Sequence, residues 1–165
     1  MESSAQQDPI VTGAQEDYLR SLMFGLQDGL VSTTGVVVGI SAGISDKEVI
    51  VLAAFVAVLV EATSMAAGQY SSEKAVHQLA RGGRHTDSLI AGAAIMFVAY
   101  IVGGLFSIIP TLLLSRPEAQ IVAVLCAFAG LFIVGFVKGK LVDEPPLRSG
   151  VELFVIGAVA TSIGL

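Results

Sequence analysis

The sequence predicts an all-α, integral membrane helical bundle of about five transmembrane helices with a cytoplasmic N-terminus, and three observations carry that prediction. Of 165 residues, 54% are hydrophobic and only 14% charged; with a mean hydropathy of +0.80, this lies outside the range of soluble globular chains. Asp, Glu, Lys and Arg are absent from Gly29 to Ser45, Val49 to Val60, Ser88 to Ser115 and Ala119 to Val137. Each stretch sits in a segment about long enough to cross a hydrocarbon core of roughly 30 Å as a helix. None alternates polar and apolar residues as a barrel strand does, and an open sheet cannot satisfy its backbone in lipid, so helices are the one consistent choice.

The elements follow in chain order. Residues 1–17 are rich in Ser, Gln, Asp and Glu, with Pro9 and Gly13, and such a stretch buries too little apolar surface to order itself, so a flexible cytosolic tail is expected. It lacks the basic start and apolar centre of a cleavable signal, which leaves insertion to the first apolar helix. Residues 18–165 form the membrane domain. Its first span is expected at about 19–44, ending in the polar turn Ser45, Asp46, Lys47, Glu48. The second, about 49–73, continues as a polar helix through Gln69, Glu73 and His77 until the glycine pair Gly82 and Gly83 stops it. The third, about 88–114, carries Pro110 near its far end. Ser115, Arg116 and Pro117 turn the chain into a fourth span at about 119–137, and Lys138 to Arg148, with Pro145 and Pro146, reads as a loop. The last candidate, 149–165, contains Glu152 and sits at the lower length limit for a span.

Five spans sort the basic residues unequally. Arg20, Lys74, Arg81, Arg84, Lys138, Lys140 and Arg148 fall on one side, Lys47 and Arg116 on the other. The rule that cytoplasmic loops are positive places the N-terminus in the cytoplasm and the C-terminus outside. The formal net charge of −5 argues against a nucleic-acid partner. Cys126 stands alone in an apolar run, which excludes a disulfide framework or a cysteine metal site and reads as a small buried hydrophobe. No nucleophile with a base partner and no cofactor fingerprint is visible, so an enzyme is not expected. Gly35, Gly39 and Gly43 recur every fourth residue; this small-residue stripe suits close helix contact, either within the chain or between two copies.

Ionisable groups inside a span cost about 2.5 to 3.5 kcal/mol at the helix centre and need a reason. Asp28 in the first span and Glu61 in the second are the two. At about 1.5 Å per residue, Asp28 lies roughly 12 Å past Arg20 and Glu61 roughly 18 Å short of Glu73 on the returning helix, with Met65 about level with Asp28. Two carboxylates and a thioether meeting midway suit a divalent transition metal, because soft sulfur adds little for Mg²⁺ or Ca²⁺. Gln69, Glu73 and His77 extend a polar ladder toward the cytoplasm, with Gln27, Ser32, Thr33 and Thr34 adding oxygens. The plainer alternatives are packing for Met65 and a solvated interfacial position for Glu73 and His77. Four steps of i+4 also turn about 160° around a helix, so the ladder cannot face one pore throughout.

The stretch Phe24-Gly25-Leu26-Gln27-Asp28-Gly29-Leu30-Val31-Ser32-Thr33-Thr34-Gly35, followed by Glu61-Ala62-Thr63-Ser64-Met65-Ala66-Ala67-Gly68-Gln69-Tyr70, resembles the signatures of the first two helices of the vacuolar iron transporter family. The likeness is sharp there and general over the rest of 18–165. It implies a homodimer with a pathway at the subunit interface, exporting cytosolic Fe²⁺, or Mn²⁺ and other divalent metals, in exchange for protons, from a cell membrane or vacuolar-type membrane. By motif position Asp28 and Met65 take the intramembrane metal roles, while Glu61 is supported more by its depth. Gln69 stands where the family usually has Glu. Only about a dozen residues separate Glu73 from Asp87, where many members insert a cytosolic metal-binding helical domain; this shortening resembles the nodulin-like branch. The rival expectations are a non-transporting scaffold or accessory subunit and a passive cation channel.

Overall fold

The computed structural model describes residues 13–79, 86–115 and 118–164. Its elements are five helices: α1 (Gly13–Gly43), α2 (Lys47–Leu79), α3 (Thr86–Leu113), α4 (Glu118–Leu141) and α5 (Pro146–Gly164). Four of them, α1 to α4, are long and apolar enough to cross a membrane. The fifth has 19 residues, roughly 28 Å of helix, with Arg148 and Glu152 near its start. Leu147, Val151, Phe154, Val155 and Val159 on it are exposed.

Several boundaries differ from the sequence reading, each for a local reason. α1 starts at Gly13, so Gly13 to Asp17, expected in the tail, are its first turns; the rest of that tail lies outside the described residues. α2 starts at Lys47 because Asp46 caps it, accepting from the backbone N–H of Glu48 (2.9 Å) and Val49 (3.4 Å). It runs to Leu79, and the expected stop at Gly82 and Gly83 lies outside the described residues. The expected loop from Lys138 is largely helical. α4 continues to Leu141 and closes with Asp143 in the left-handed region (φ 55°), its follower Glu144 donating to the Gly139 carbonyl at 2.9 Å. That six-to-one bond marks a Schellman stop with Asp in glycine's usual place. Pro146 then opens α5, a position where its missing N–H costs nothing.

Packing is organised around α3. On α1, Gly25 and Gly29 lie against α3 backbone: a Cβ built at Gly25 would come 2.8 Å from the Met96 carbonyl oxygen. From the α3 side, a Cβ at Gly103 would come 2.6 Å from the Leu26 carbonyl oxygen. The two helices therefore touch main chain to main chain, a small-xxx-small contact with no room for a side chain. α4 and α5 pair the same way, with Gly135 against the Ser149 backbone and Gly139 against Pro146. The principal core joins α1, α2 and α3 through Val37, Ile50, Ala54, Val58, Ala62, Tyr100 and Ile108. A smaller one, Leu30, Ala127 and Leu131, joins α1 to α4. Outward faces carry Leu52, Val60, Val98, Leu113, Ile121 and Leu125 in the open, the surface a lipid solvent would cover.

The stripe Gly35, Gly39 and Gly43 is a different case. A Cβ at any of the three meets nothing within 4 Å, so it faces away from the fold; the seam inside the chain is made by Gly25 and Gly29.

Candidate functional site

Two groups of polar side chains lie along α1 and α2. The deeper one contains Asp28 and Glu61. Ser32, one turn beyond Asp28 on α1, donates its hydroxyl to Asp28 Oδ1 at 3.1 Å. Glu61 on α2 accepts from the hydroxyl of Tyr100 on α3. Tyr100 is wholly buried, and the glycine seam sets it there, because its backbone lies against Gly25 and Gly29 of α1. Ser32, Asp28, Glu61 and Tyr100 lie near enough to act on one another electrostatically, the two carboxylates repelling. Three helices thus bring two carboxylates and two hydroxyls into one neighbourhood. Asp28 also lines a cavity of about 160 Å³ with Phe24, Gln27, Val31, Ile156 and Ala160, so α5 closes over its free side. Met65 is half-buried against the core cluster that contains Tyr100.

Among the described residues no three His, Cys, Asp or Glu side chains converge into a ready-made metal site. Oxygen donors are what the deep group provides: two carboxylates, the Ser32 hydroxyl and the Tyr100 phenol. Such a set accepts hard and borderline divalent cations and, by itself, discriminates little among them.

The second group lies nearer the N-terminal end of α1. Glu73 is buried, contrary to the solvated position expected for it; its side chain is 10% exposed. It is held by Gln69, whose amide donates to Glu73 Oε1 and, at 2.9 Å, to Ser21 Oγ, and by Arg20, whose Nη2 stands 3.3 Å from the same oxygen. The same nitrogen is 3.3 Å from Asp17 Oδ1. Gly92 on α3 leaves space for this carboxylate: a Cβ there would be 3.3 Å from Oε2. A cavity of about 380 Å³ opens here, lined among others by Asp17, Arg20, Gln69, Glu73 and His77.

Sequence reasoning missed Tyr100 and the Arg20 to Glu73 pair. The first had a signal: a lone phenol within the apolar run of α3, and a buried tyrosine hydroxyl nearly always finds a partner. The second depends on how α1 and α2 are staggered, which no local pattern fixes.

The model of the VIT family matches residues 19–89 and 80–165. The chain belongs to the VIT family. Vacuolar iron transporter homolog 2 of Arabidopsis thaliana is 24% identical across 92% of this chain and 84% of its own length. Vacuolar iron transporter homolog 1 of Oryza sativa subsp. japonica is 28% identical, over 91% of this chain and 72% of its own. Vacuolar iron transporter 1 of Arabidopsis thaliana matches a shorter stretch, 35% identical over 66 residues, which is 39% of this chain and 26% of that protein. Like its relatives in the VIT family, the chain is a multi-pass membrane protein. The resemblance found in the motifs of the first two helices therefore extends over nearly the whole membrane domain.

Proposed function

We propose that this VIT-family protein exports Fe²⁺, and related ions such as Mn²⁺, from the cytosol in exchange for protons, along a pathway beside α1 and α2 in a homodimer. The observation that carries the reading is the placing of Asp28, bonded by Ser32, near Glu61, bonded by Tyr100, inside helices built for lipid. Two acids kept together at that depth repel each other and cost insertion energy, a cost that a passing dication offsets. The iron transporters among the relatives supply the cargo class.

Roles follow from chemistry. Asp28 and Glu61 replace part of the hydration shell of the entering cation and take up protons when it leaves. Met65 supplies soft sulfur, favouring Fe²⁺ over Mg²⁺ and Ca²⁺. The Arg20 to Glu73 contact sets the stagger of α1 against α2. Counting about 12 Å inward along each helix from that pair arrives at Asp28 on one and Met65 on the other. The unequal split of basic residues supports a cytoplasmic N-terminus, and the outward stripe Gly35, Gly39 and Gly43 supports a seam between two copies. No catalysed reaction is part of this reading.

The test is radiolabelled Fe²⁺ uptake into proteoliposomes with and without a pH gradient. Uptake driven by the gradient is the expected result. Equal uptake without a gradient makes the protein a passive channel, and no uptake under either condition makes it a scaffold.

A further inference from the structure

Asp28 belongs to the deep group with Ser32, Glu61 and Tyr100, yet it also lines a cavity that none of those three reaches. That space, about 160 Å³, has Phe24, Gln27, Asp28 and Val31 of α1 on one wall and Ile156 and Ala160 of α5 on the other. Water takes up about 30 Å³ per molecule in the liquid, so the space holds a few, and a carboxylate with a neighbouring amide gives them polar partners. Ile156 is 45% exposed and Ala160 is exposed too, so α5 walls the cavity without sealing it. The helix does not owe its place to α1. Its first half is fastened to α4, where a Cβ at Gly135 would come 2.5 Å from the Ser149 carbonyl oxygen. Farther along, Gly157 leaves room for the end of Leu131 of α4, with Val31 of α1 beside it. With α5 held by α4, the side chains at 156 and 160 are what narrow the gap at Asp28.

We propose that this cavity is a water-filled mouth through which the divalent cation passes between Asp28 and solvent, and that Ile156 and Ala160 of α5 fix its bore. The inference rests on the transport reading for its cargo and adds α5 to the route beside α1 and α2. Among the described residues lining the cavity, Asp28 alone is charged. A single carboxylate behind apolar walls focuses its field on the opening, which draws cations inward and turns anions away. Phe24, Val31, Ile156 and Ala160 offer an ion no ligand, so it moves past them to the oxygens of Gln27 and Asp28. Filling by water also accounts for an acid facing an open rim at this depth, since the same rim opening onto hydrocarbon leaves the carboxylate without solvation. The methyl group of Ala160 keeps the mouth wide enough for an ion that still carries part of its water.

The mouth is tested by single cysteines in full-length protein with Cys126→Ala, reconstituted in liposomes and treated on both faces with a cationic methanethiosulfonate. The reagent forms a mixed disulfide, with sulfinate leaving, when a thiolate attacks it, and a thiolate needs water around it. Ile156→Cys and Ala160→Cys should react, whereas Val155→Cys and Val159→Cys, exposed on the neighbouring face of α5, should stay unlabelled in lipid. Adding Asp28→Asn should slow the reaction at position 160 roughly fivefold, because the attracting charge is lost. Uptake of Fe²⁺ supplies the second measurement: Ala160→Phe should lower the maximal rate roughly tenfold by narrowing the passage, and Val159→Phe should leave it unchanged. Equal labelling at all four positions, labelling at none, or an Ala160→Phe protein with normal uptake overturns the mouth. Labelling reads the cavity whether or not iron moves, so a protein that shows the expected pattern but transports no Fe²⁺ refutes the transport reading instead.

Discussion

Tyr100→Phe isolates the one hydroxyl that links α3 to the acids of α1 and α2. The ring stays and fills the same wholly buried volume, so packing is conserved and only the bond to Glu61 disappears. In water a hydrogen bond to a charged group contributes about 1.5 to 3 kcal/mol, but inside membranes measured values average about 0.6 with a ceiling near 1.7. The membrane figure governs here, and because Glu61 is only half-buried, water from the pathway replaces part of the lost partner. A loss of about 1 kcal/mol is expected, visible as a modest fall in detergent melting temperature. The functional effect is larger in kind: Glu61, freed from its tether, samples other rotamers and must be re-ordered by each entering cation. If that ordering costs about 1 kcal/mol, half-saturation for Fe²⁺ uptake rises roughly fivefold while the maximal rate changes little. Titrated uptake in proteoliposomes reads both quantities. A Tyr100→Phe protein with unchanged half-saturation and unchanged stability would refute the idea that Tyr100 positions Glu61.

Asp28→Asn should abolish Fe²⁺ uptake at every pH tested, while Met65→Leu, nearly equal in volume, should fold normally and lose preference for Fe²⁺ over Mg²⁺ and Ca²⁺ in competition uptake. Gly39→Leu meets no neighbour within the chain, so it should leave the monomer intact yet separate subunits on size-exclusion chromatography with light scattering and stop transport; a dimeric, active variant removes the seam. For topology, cysteines at Ser45 and Ser115 should label from outside and one at the exposed Glu144 only from the cytoplasmic side, with Cys126 replaced; Ser149 is unsuitable as a probe because it is buried. External labelling at position 144 contradicts the proposed orientation.

The helices were readable because lipid imposes one rule on every residue of a span: long gaps between charges in the sequence became α1 to α4. Asp28 and Glu61 stood out for the same reason. Helix ends were less legible. The Asp46 cap and the Asp143 stop depend on single residues whose signals compete with the flanking sequence, and Lys138 and Lys140 resembled loop residues although they extend α4. Glycines showed the limit most clearly. The regular triplet Gly35, Gly39, Gly43 caught attention, whereas the contacts inside the fold are made by Gly25, Gly29 and Gly103, whose role appears only when α3 is laid beside α1. The burial of Glu73 was missed for a related reason: it comes from Arg20, Gln69 and the open corner at Gly92, residues separated in sequence that the stagger of three helices brings together.

The seam between α1 and α3 also divides the molecule mechanically. Where backbones interlock at Gly25, Gly29 and Gly103, neither helix slides or rolls without lifting the other's main chain, so the pair responds to force as one stiff beam. α2 meets that beam through side chains, with a long, half-solvated ion pair near one end and a phenol-to-carboxylate bond farther along. Beyond them Ile50, Ala54, Val58 and Ala62 hold α2 in the common core with α1 and α3. If the proposed pathway opens at this face, the stiff pair is expected to act as the stationary edge and α2 as the part that moves.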